Sequence, residues 1–274
     1  MHIKFTKMQG CGNDFIVIDN RDSVLKEEEL SRFSAKVCTR KQSLGADGVL
    51  LLENSSAADF KMRLFNPDGS EGEMCGNGAR CIARYAYVNG IAQQNMVVET
   101  LSGNIEAAIH GREVGIKLPD VDAQHIREGK LRLLDMDYRF YSLYLGVPHC
   151  VIFLEDNLTT EKLTESGRKI RYNTQLFPEG TNVNFVKLID NQTISVITYE
   201  RGVEQITMAC GTGSTASAVV AALNSFVSAP VTVVTPGGRL WVTFKRSENR
   251  FCSIELLGKT ALIASGFLYP EAFR

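Results

Sequence analysis

Cys75-Gly76-Asn77-Gly78-Ala79 and Cys210-Gly211-Thr212-Gly213-Ser214 repeat one pattern, a cysteine followed by alternating glycines, in opposite halves of a 274-residue chain. Each opens a run with apolar residues at helical spacing. These are Ala79, Ile82, Ala83 and Ala86 after the first, and Ala216, Val219, Val220 and Leu223 after the second. The spacing predicts helices over 77–89 and 212–224, each entered through its cysteine. Working outward, the echo continues. Thr100-Leu101-Ser102-Gly103 begins 25 positions after Cys75, and Thr235-Pro236-Gly237-Gly238 begins 25 after Cys210. Gly12-Asn13-Asp14-Phe15 begins 63 positions before Cys75, and Gly146-Val147-Pro148-His149 begins 64 before Cys210.

Four features in near-equal register imply two homologous domains, over residues 1–120 and 135–260, joined within 118–134. A C-terminal strand near 260–270 is expected to return to the first domain. A charged run with an apolar stripe predicts a further helix over 26–38, and strand-like runs lie at 14–19, 48–52, 96–100 and 231–235. Strands mixed with a few helices place the chain in the α+β class. A pseudo-symmetric pair of α/β domains is expected to hold its ligand in the interdomain cleft.

The composition, 44% hydrophobic and 22% charged, is that of a soluble globular protein able to bury a core without staples. A net charge of −1 gives no electrostatic case for nucleic acid or an anionic membrane. No apolar run is long enough for a membrane span, and the first 15 residues alternate like a strand and lack a signal-peptide core. A cytoplasmic location is the expectation. Seven cysteines, odd in number and without a Cys-x-x-Cys pair, argue against a disulfide framework or a zinc ribbon. Cys38, Cys81 and Cys252 read as buried thiols.

Cys75 and Cys210 have a different setting. A helix N-terminus exposes unpaired N–H groups and the positive end of the dipole, so a thiol there loses its proton more readily. Its pKa can fall from about 8.5 to roughly 3.5–7.5. Flanking glycines admit a ligand close to the backbone, and the N–H groups suit an anion such as a carboxylate. Two such thiols on opposite faces of one carbon supply the base and the acid that inversion of an α-carbon needs. Other readings of the motif are inert helix entries, a phosphate cradle and a cysteine protease. Neither loop has the Gly-x-Gly-x-x-Gly or Gly-Lys-Ser/Thr spacing of a nucleotide site. A protease needs one nucleophile with a histidine partner.

Longer motifs make the comparison specific. Met8-Gln9-Gly10-Cys11-Gly12-Asn13-Asp14-Phe15, Phe65-Asn66-Pro67-Asp68-Gly69-Ser70, Cys75 to Cys81, Pro148-His149, Tyr199-Glu200-Arg201-Gly202, Ala209 to Gly213 and Pro236-Gly237-Gly238 resemble the diaminopimelate epimerase family over about residues 3–268. The resemblance implies two domains, each a barrel-like mixed sheet around a central helix. It implies interconversion of LL- and meso-diaminopimelate, in lysine and peptidoglycan biosynthesis, with no cofactor, whether pyridoxal phosphate, metal or nucleotide. A homodimer is implied as well. Cys75 and Cys210 match the catalytic pair, Cys75 as proton donor and Cys210 as acceptor in the LL-to-meso direction. His149 and Glu200 match residues that tune the thiols. Substrate contacts carry over to Asn13, Asn66, Gly76, Asn77, Asn182, Glu200, Arg201, Gly211 and Thr212.

Taken without the family, His149 reads as a structural histidine, the three asparagines as turn residues, and Glu200 with Arg201 as a surface ion pair. The chain departs from the family at Val147, commonly Asn, and near Gly48, where some members carry Gln. The loop from Arg201 to Cys210 is one residue longer than its common form. These departures keep open a related racemase of another amino acid, such as histidine; a further alternative is a non-catalytic amino-acid-binding protein whose cysteines are relics.

Overall fold

A computed structural model describes residues 2–134, 136–155 and 158–274. It divides into two compact units, Met1–Ile116 with Gly258–Arg274, and Lys117–Leu257. In the first, β1 (Ile3–Gly10) and β2 (Asn13–Asp19) form an antiparallel hairpin, with Gly10 opposite Asn13. Helix α1 (Glu27–Cys38) crosses to β3 (Gly48–Glu53), which lies parallel to β2. β4 (Phe60–Phe65) runs antiparallel to β3 and carries the two-residue β5 (Glu71–Gly72). Helix α2 (Gly76–Val88) then crosses to β6 (Asn95–Thr100), parallel to β4, and an antiparallel meander adds β7 (Gly103–His110) and β8 (Glu113–Lys117).

The second unit repeats this plan. After β9 (Val121–Asp122), the strands β10 (Arg127–Leu133), β11 (Met136–Leu145) and β12 (Val147–Phe153) form antiparallel pairs. Helix α3 (Thr160–Arg171) crosses to β13 (Asn182–Asp190), parallel to β12, and β14 (Thr193–Glu200) runs antiparallel to β13 with β15 (Gln205–Ile206) beside it. Helix α4 (Gly211–Leu223) crosses to β16 (Val231–Thr235), parallel to β14, and β17 (Gly238–Ser247) returns antiparallel. The last strand, β18 (Arg250–Leu268), meets β9 near its start and β1 from Thr260 to Leu268. Its pairing with β8 closes the first unit's ladder into an eight-stranded barrel.

The two crossover helices of each unit have different jobs. α2 packs against β1, β2, β3, β4, β6 and β7, and α4 against β11, β12, β13, β14, β16 and β17, so each is the central helix of its sheet. α1 and α3 cover the opposite faces, through Leu30, Phe33 and Val37 and through Leu163 and Ile170. Strands covered on both sides lose their polar alternation. Ile16, Val17 and all of Val49–Leu52 are inaccessible to solvent.

Central position explains why both glycine-rich entries exist. A Cβ on Gly213 would lie 2.2 Å from Asn184 Oδ1, and one on Gly78 3.1 Å from Leu50 Cδ2. At Gly213 the helix can enter its sheet only without a side chain, and at Gly78 a side chain would require Leu50 to give way by a few tenths of an ångström. Cys38 and Cys81 are buried as the sequence implies, but Cys252 is half-exposed. Near the outer end of β18 the alternation turns Phe251 inward and Cys252 outward, where its thiol donates to the Lys245 carbonyl at 3.5 Å.

Candidate active site

Each central helix begins at a cysteine. Cys75 is the N-cap of α2, with extended backbone (φ −135°, ψ 119°), and its carbonyl accepts from Ala79 N–H at 2.8 Å. Cys210 is the N-cap of α4 (φ −108°, ψ 115°), and its carbonyl accepts from Ser214 N–H at 2.9 Å. Both side chains therefore stand at the N–H-rich, positive end of a helix of 13 residues. Cys75 is half-buried and Cys210 buried, with its sulfur 3.6 Å from Thr212 Oγ1.

In the first unit, Gly76 and Asn77 form the turn after Cys75. Asn77 is buried, and its Oδ1 accepts from an Arg80 guanidinium nitrogen at 2.6 Å. The other Arg80 terminal nitrogen donates to Gly76 O at 3.2 Å, and the first also reaches Cys11 Sγ at 3.8 Å. Arg80 is fully buried, and no carboxylate pairs with it among the described residues. It joins the turn after Cys75 to the Cys11-Gly12 hairpin turn, and Asn13 follows directly. Asn13 Oδ1 is buried with no hydrogen-bond partner among the described residues, as expected of an atom kept for a ligand. The next residue, Asp14, is held by Arg40 at 2.6 Å and Lys7 at 2.5 Å. Burial alone would raise the Asp14 carboxyl, but hydrogen bonds from Arg40 and Lys7 bring it down to about 2. Asn66 bonds within its own turn, Nδ2 donating to Ser70 Oγ at 3.0 Å. That turn packs on α1 through Gly69 (φ +85°), where a Cβ would sit 2.5 Å from the Ser31 carbonyl.

In the second unit, the parallel β12–β13 ladder sets His149 beside Asn182. Asn182 Oδ1 accepts from the Arg201 backbone N–H at 2.8 Å and its Nδ2 donates to Pro148 O at 3.3 Å, which brings the Arg201 turn against the His149 strand. The Arg201 guanidinium donates to Glu179 O at 3.0 Å, with no carboxylate pairing to it among the described residues. The expected Glu200–Arg201 surface pair is therefore absent. Glu200 is instead drawn inward at the end of β14, where burial raises its carboxyl against the opposing effect of Thr207. His149 is wholly buried. Burial, then the positive charge of Arg201, pushes its pKa down to about 3, so the ring is neutral.

Both departures have a structural setting. A Cβ on Gly48 would meet Phe65 O at 3.0 Å and Leu64 Cδ1 at 3.2 Å, so a side chain there would require those neighbours to give by a few tenths of an ångström. Val147 is half-buried at the start of β12.

Sequence reasoning missed Arg80, Asn184 and Thr198. Arg80 stands inside a quoted motif, yet nothing local announces that an arginine will be buried. Asn184 had a signal: it lies two residues from Asn182, so the two share one face of β13. Among the described residues, no group of three or more His, Cys, Asp or Glu side chains is gathered to hold a metal ion, and no helix is long and apolar enough to cross a membrane.

Comparison with known proteins agrees with this repeated architecture. A sequence model of the diaminopimelate epimerase family matches residues 5–119 and 141–263. A diaminopimelate epimerase of Aquifex aeolicus is 43% identical over 280 residues, covering 98% of this chain and 99% of the relative. One from Caldanaerobacter subterraneus subsp. tengcongensis is 42% identical over 271 residues, covering 93% and 96%. Among solved structures, a hydroxyproline epimerase from Agrobacterium vitis has the same fold, with a TM-score of 0.72 at 16% identity, covering 98% of this chain and 93% of that one. A Bacillus anthracis phenazine biosynthesis protein gives 0.71 at 15%, covering 98% and 99%. With a family match across most of its length and relatives above 40% identity, the chain belongs to the diaminopimelate epimerase family.

Proposed function

We propose that the chain interconverts LL- and meso-2,6-diaminopimelate by inverting one α-carbon, with Cys75 and Cys210 as its acid and base. The observation that carries this reading is the repeated cysteine N-cap: one per unit, each opening a central helix through a glycine-rich first turn. In the LL-to-meso direction the Cys210 thiolate takes the α-proton. The electron pair left on carbon delocalises into the carboxylate, and the Cys75 thiol returns a proton to the opposite face. The sulfurs end with their proton states exchanged, ready for the meso-to-LL direction, and proton exchange with solvent resets them before the next LL turnover. Acid–base catalysis supplies roughly 10²–10⁴-fold. The larger share comes from fixed dipoles, here the first-turn N–H groups of α2 and α4 directed at the substrate carboxylate.

The remaining residues fit the ends of such a substrate. The Arg201 fork suits the distal carboxylate, a planar task for which arginine is better shaped than lysine. Asn13, Asn66, Asn77 and Asn182 supply amides for the polar groups, and Gly76, Gly211 and Thr212 line the helix entries. His149 and Glu200, the one kept neutral and the other raised by burial, set the electrostatic background of the thiols. No pyridoxal phosphate, metal or nucleotide takes part in this reaction. Its place is lysine and peptidoglycan precursor synthesis in the cytoplasm. The partner is a second copy of the chain, for which the exposed apolar residues Leu262, Ile263, Phe267 and Tyr269 supply a surface.

Val147 favours testing a second substrate class alongside the first. Reduced protein is given LL-diaminopimelate and, separately, free amino acids including L-histidine, and the stereoisomers are resolved. Appearance of meso-diaminopimelate without added cofactor is the expected result. Turnover of histidine alone would reassign the substrate. Ligand binding with no turnover, unchanged in Cys75→Ala and Cys210→Ala, would reduce the chain to a binding protein.

A further inference from the structure

Beneath the first turn of α4 lies a buried polar cluster that no catalytic step above uses. Asn184, on β13, and His149, on β12, are inaccessible to solvent, and Gly213 on α4 is buried. The Asn184 amide nitrogen donates to Cys150 O at 3.1 Å and lies 3.2 Å from His149 Nδ1. Its amide oxygen accepts from Thr198 Oγ1 at 3.0 Å, across the β13–β14 ladder where the two residues are directly opposed. The oxygen also lies where a Gly213 side chain would be, 2.2 Å from that residue's would-be Cβ.

These contacts fix more than position. A backbone carbonyl can only accept, so the amide must turn its NH₂ toward Cys150 O; the reverse orientation would set oxygen against oxygen. The second amide hydrogen then faces His149 Nδ1, which must accept and is therefore unprotonated. A neutral imidazole carries one proton, so the proton resides on Nε2. Nε2 is itself buried and has no hydrogen-bond partner among the described residues. Such a buried donor is rare in a native fold and marks a place where a bound molecule completes the set.

We propose that Asn184 is a positioning residue that locks His149 as the Nε2–H tautomer, so that His149 serves the reaction as a fixed hydrogen-bond donor to the substrate and never as a base. The functional half of this statement rests on the epimerase reading; the tautomer does not. The environment agrees with it: burial and the neighbouring Arg201 charge both disfavour a second proton on the ring. Thr198 closes the relay by holding the amide oxygen, and Gly213 lets the α4 entry sit directly on it.

The test is nitrogen-15 NMR of the full chain with labelled histidine, the His149 signal being assigned by its loss in His149→Gln. Exposed His2, His110 and His125 serve as references. Between pH 5 and 8 the expected spectrum shows Nε2 protonated and Nδ1 bare, with no change. Adding diaminopimelate should move the Nε2–H proton signal and leave Nδ1 unprotonated. In Asn184→Asp the carboxylate accepts from Nδ1–H, so the tautomer should reverse. Turnover should fall about 10–100-fold with little change in KM, a typical cost for losing an orienting partner. A proton on Nδ1 in the native chain, a titration near the ordinary histidine range, or an Asn184→Asp chain with unchanged tautomer would overturn the proposal. Because the spectrum needs no turnover, an inactive protein with the expected tautomer rejects the epimerase reading alone. An active one with the wrong tautomer rejects the relay alone.

Discussion

Arg80 carries a positive charge with no exposure to solvent and, among the described residues, no carboxylate paired with it. Its contacts are the Gly76 carbonyl, the Asn77 amide oxygen and the Cys11 sulfur, so it serves the turn after Cys75 as a brace and a fixed charge. Arg80→Met removes those three contacts, and a loss of about 1–3 kcal/mol in denaturant unfolding is expected. The same variant should alkylate more slowly at Cys75, because the nearby cation that favours a thiolate is gone. His149 gives a second prediction at this scale. Its folded pKa, about 3, lies below the unfolded value of about 6.5, so below that value the unfolded chain binds a proton the folded chain refuses. Stability should therefore be full above 6.5 and fall as pH drops, by up to about 1.4 kcal/mol per unit. Glu200, raised by burial, works in the opposite sense, since stability falls as pH rises past its unfolded value near 4.5. Asp14 acts lower still, losing its contribution between 3.8 and about 2. Asp14 lies clear of the interval from 6.5 to 5, where His149 and Glu200 act in opposite senses, so the ring is read from the difference between the native chain and His149→Gln, whose slope there should be the flatter. An unchanged slope would mean that the ring is protonated in the fold.

At the scale of elements, α4 depends on Gly213. A methyl there meets the Asn184 amide oxygen at 2.2 Å, and both groups are buried, so Gly213→Ala must displace either the helix entry or the relay. Overpacking of this kind costs about 1–3 kcal/mol, and thermal unfolding of the variant should show it. Much of this level was legible beforehand. The stripes after Cys75 and Cys210 predicted helices over 77–89 and 212–224, and the structure has Gly76–Val88 and Gly211–Leu223. The run at 231–235 became β16 with the same bounds. Those signals survive because capping and periodicity are local. What stayed hidden was the interior: which polar residues a closed sheet would bury is decided by register between distant strands. Thr198 meets Asn184, and Gly10 leaves room for Cys81 Sγ, 3.3 Å from where its own Cβ would be. Neither fact is written in a neighbouring residue. Cys252 was misread for the same reason, since free cysteine prefers burial but the outward turn of β18 decides.

For the whole molecule, the internal repeat mattered most. Two copies of one motif implied one chemistry done twice, and the structure gives each unit the same strand order and the same cysteine-capped helix. The surface of β18 predicts assembly. Leu262 to Ser265 are consecutively exposed, and Phe267 follows at 63% exposure. Light scattering should find a dimer that Ile263→Glu with Phe267→Glu dissociates; a native monomer would leave that surface without its partner. The two-base reaction itself is decided by running LL-diaminopimelate turnover in heavy water and stopping it early. If two sulfurs each guard one face, the meso product carries one solvent deuterium at the inverted carbon while unreacted substrate carries none. Deuterium appearing in recovered LL substrate as fast as in product would mean a single base serving both faces, and the paired roles of Cys75 and Cys210 would have to be abandoned.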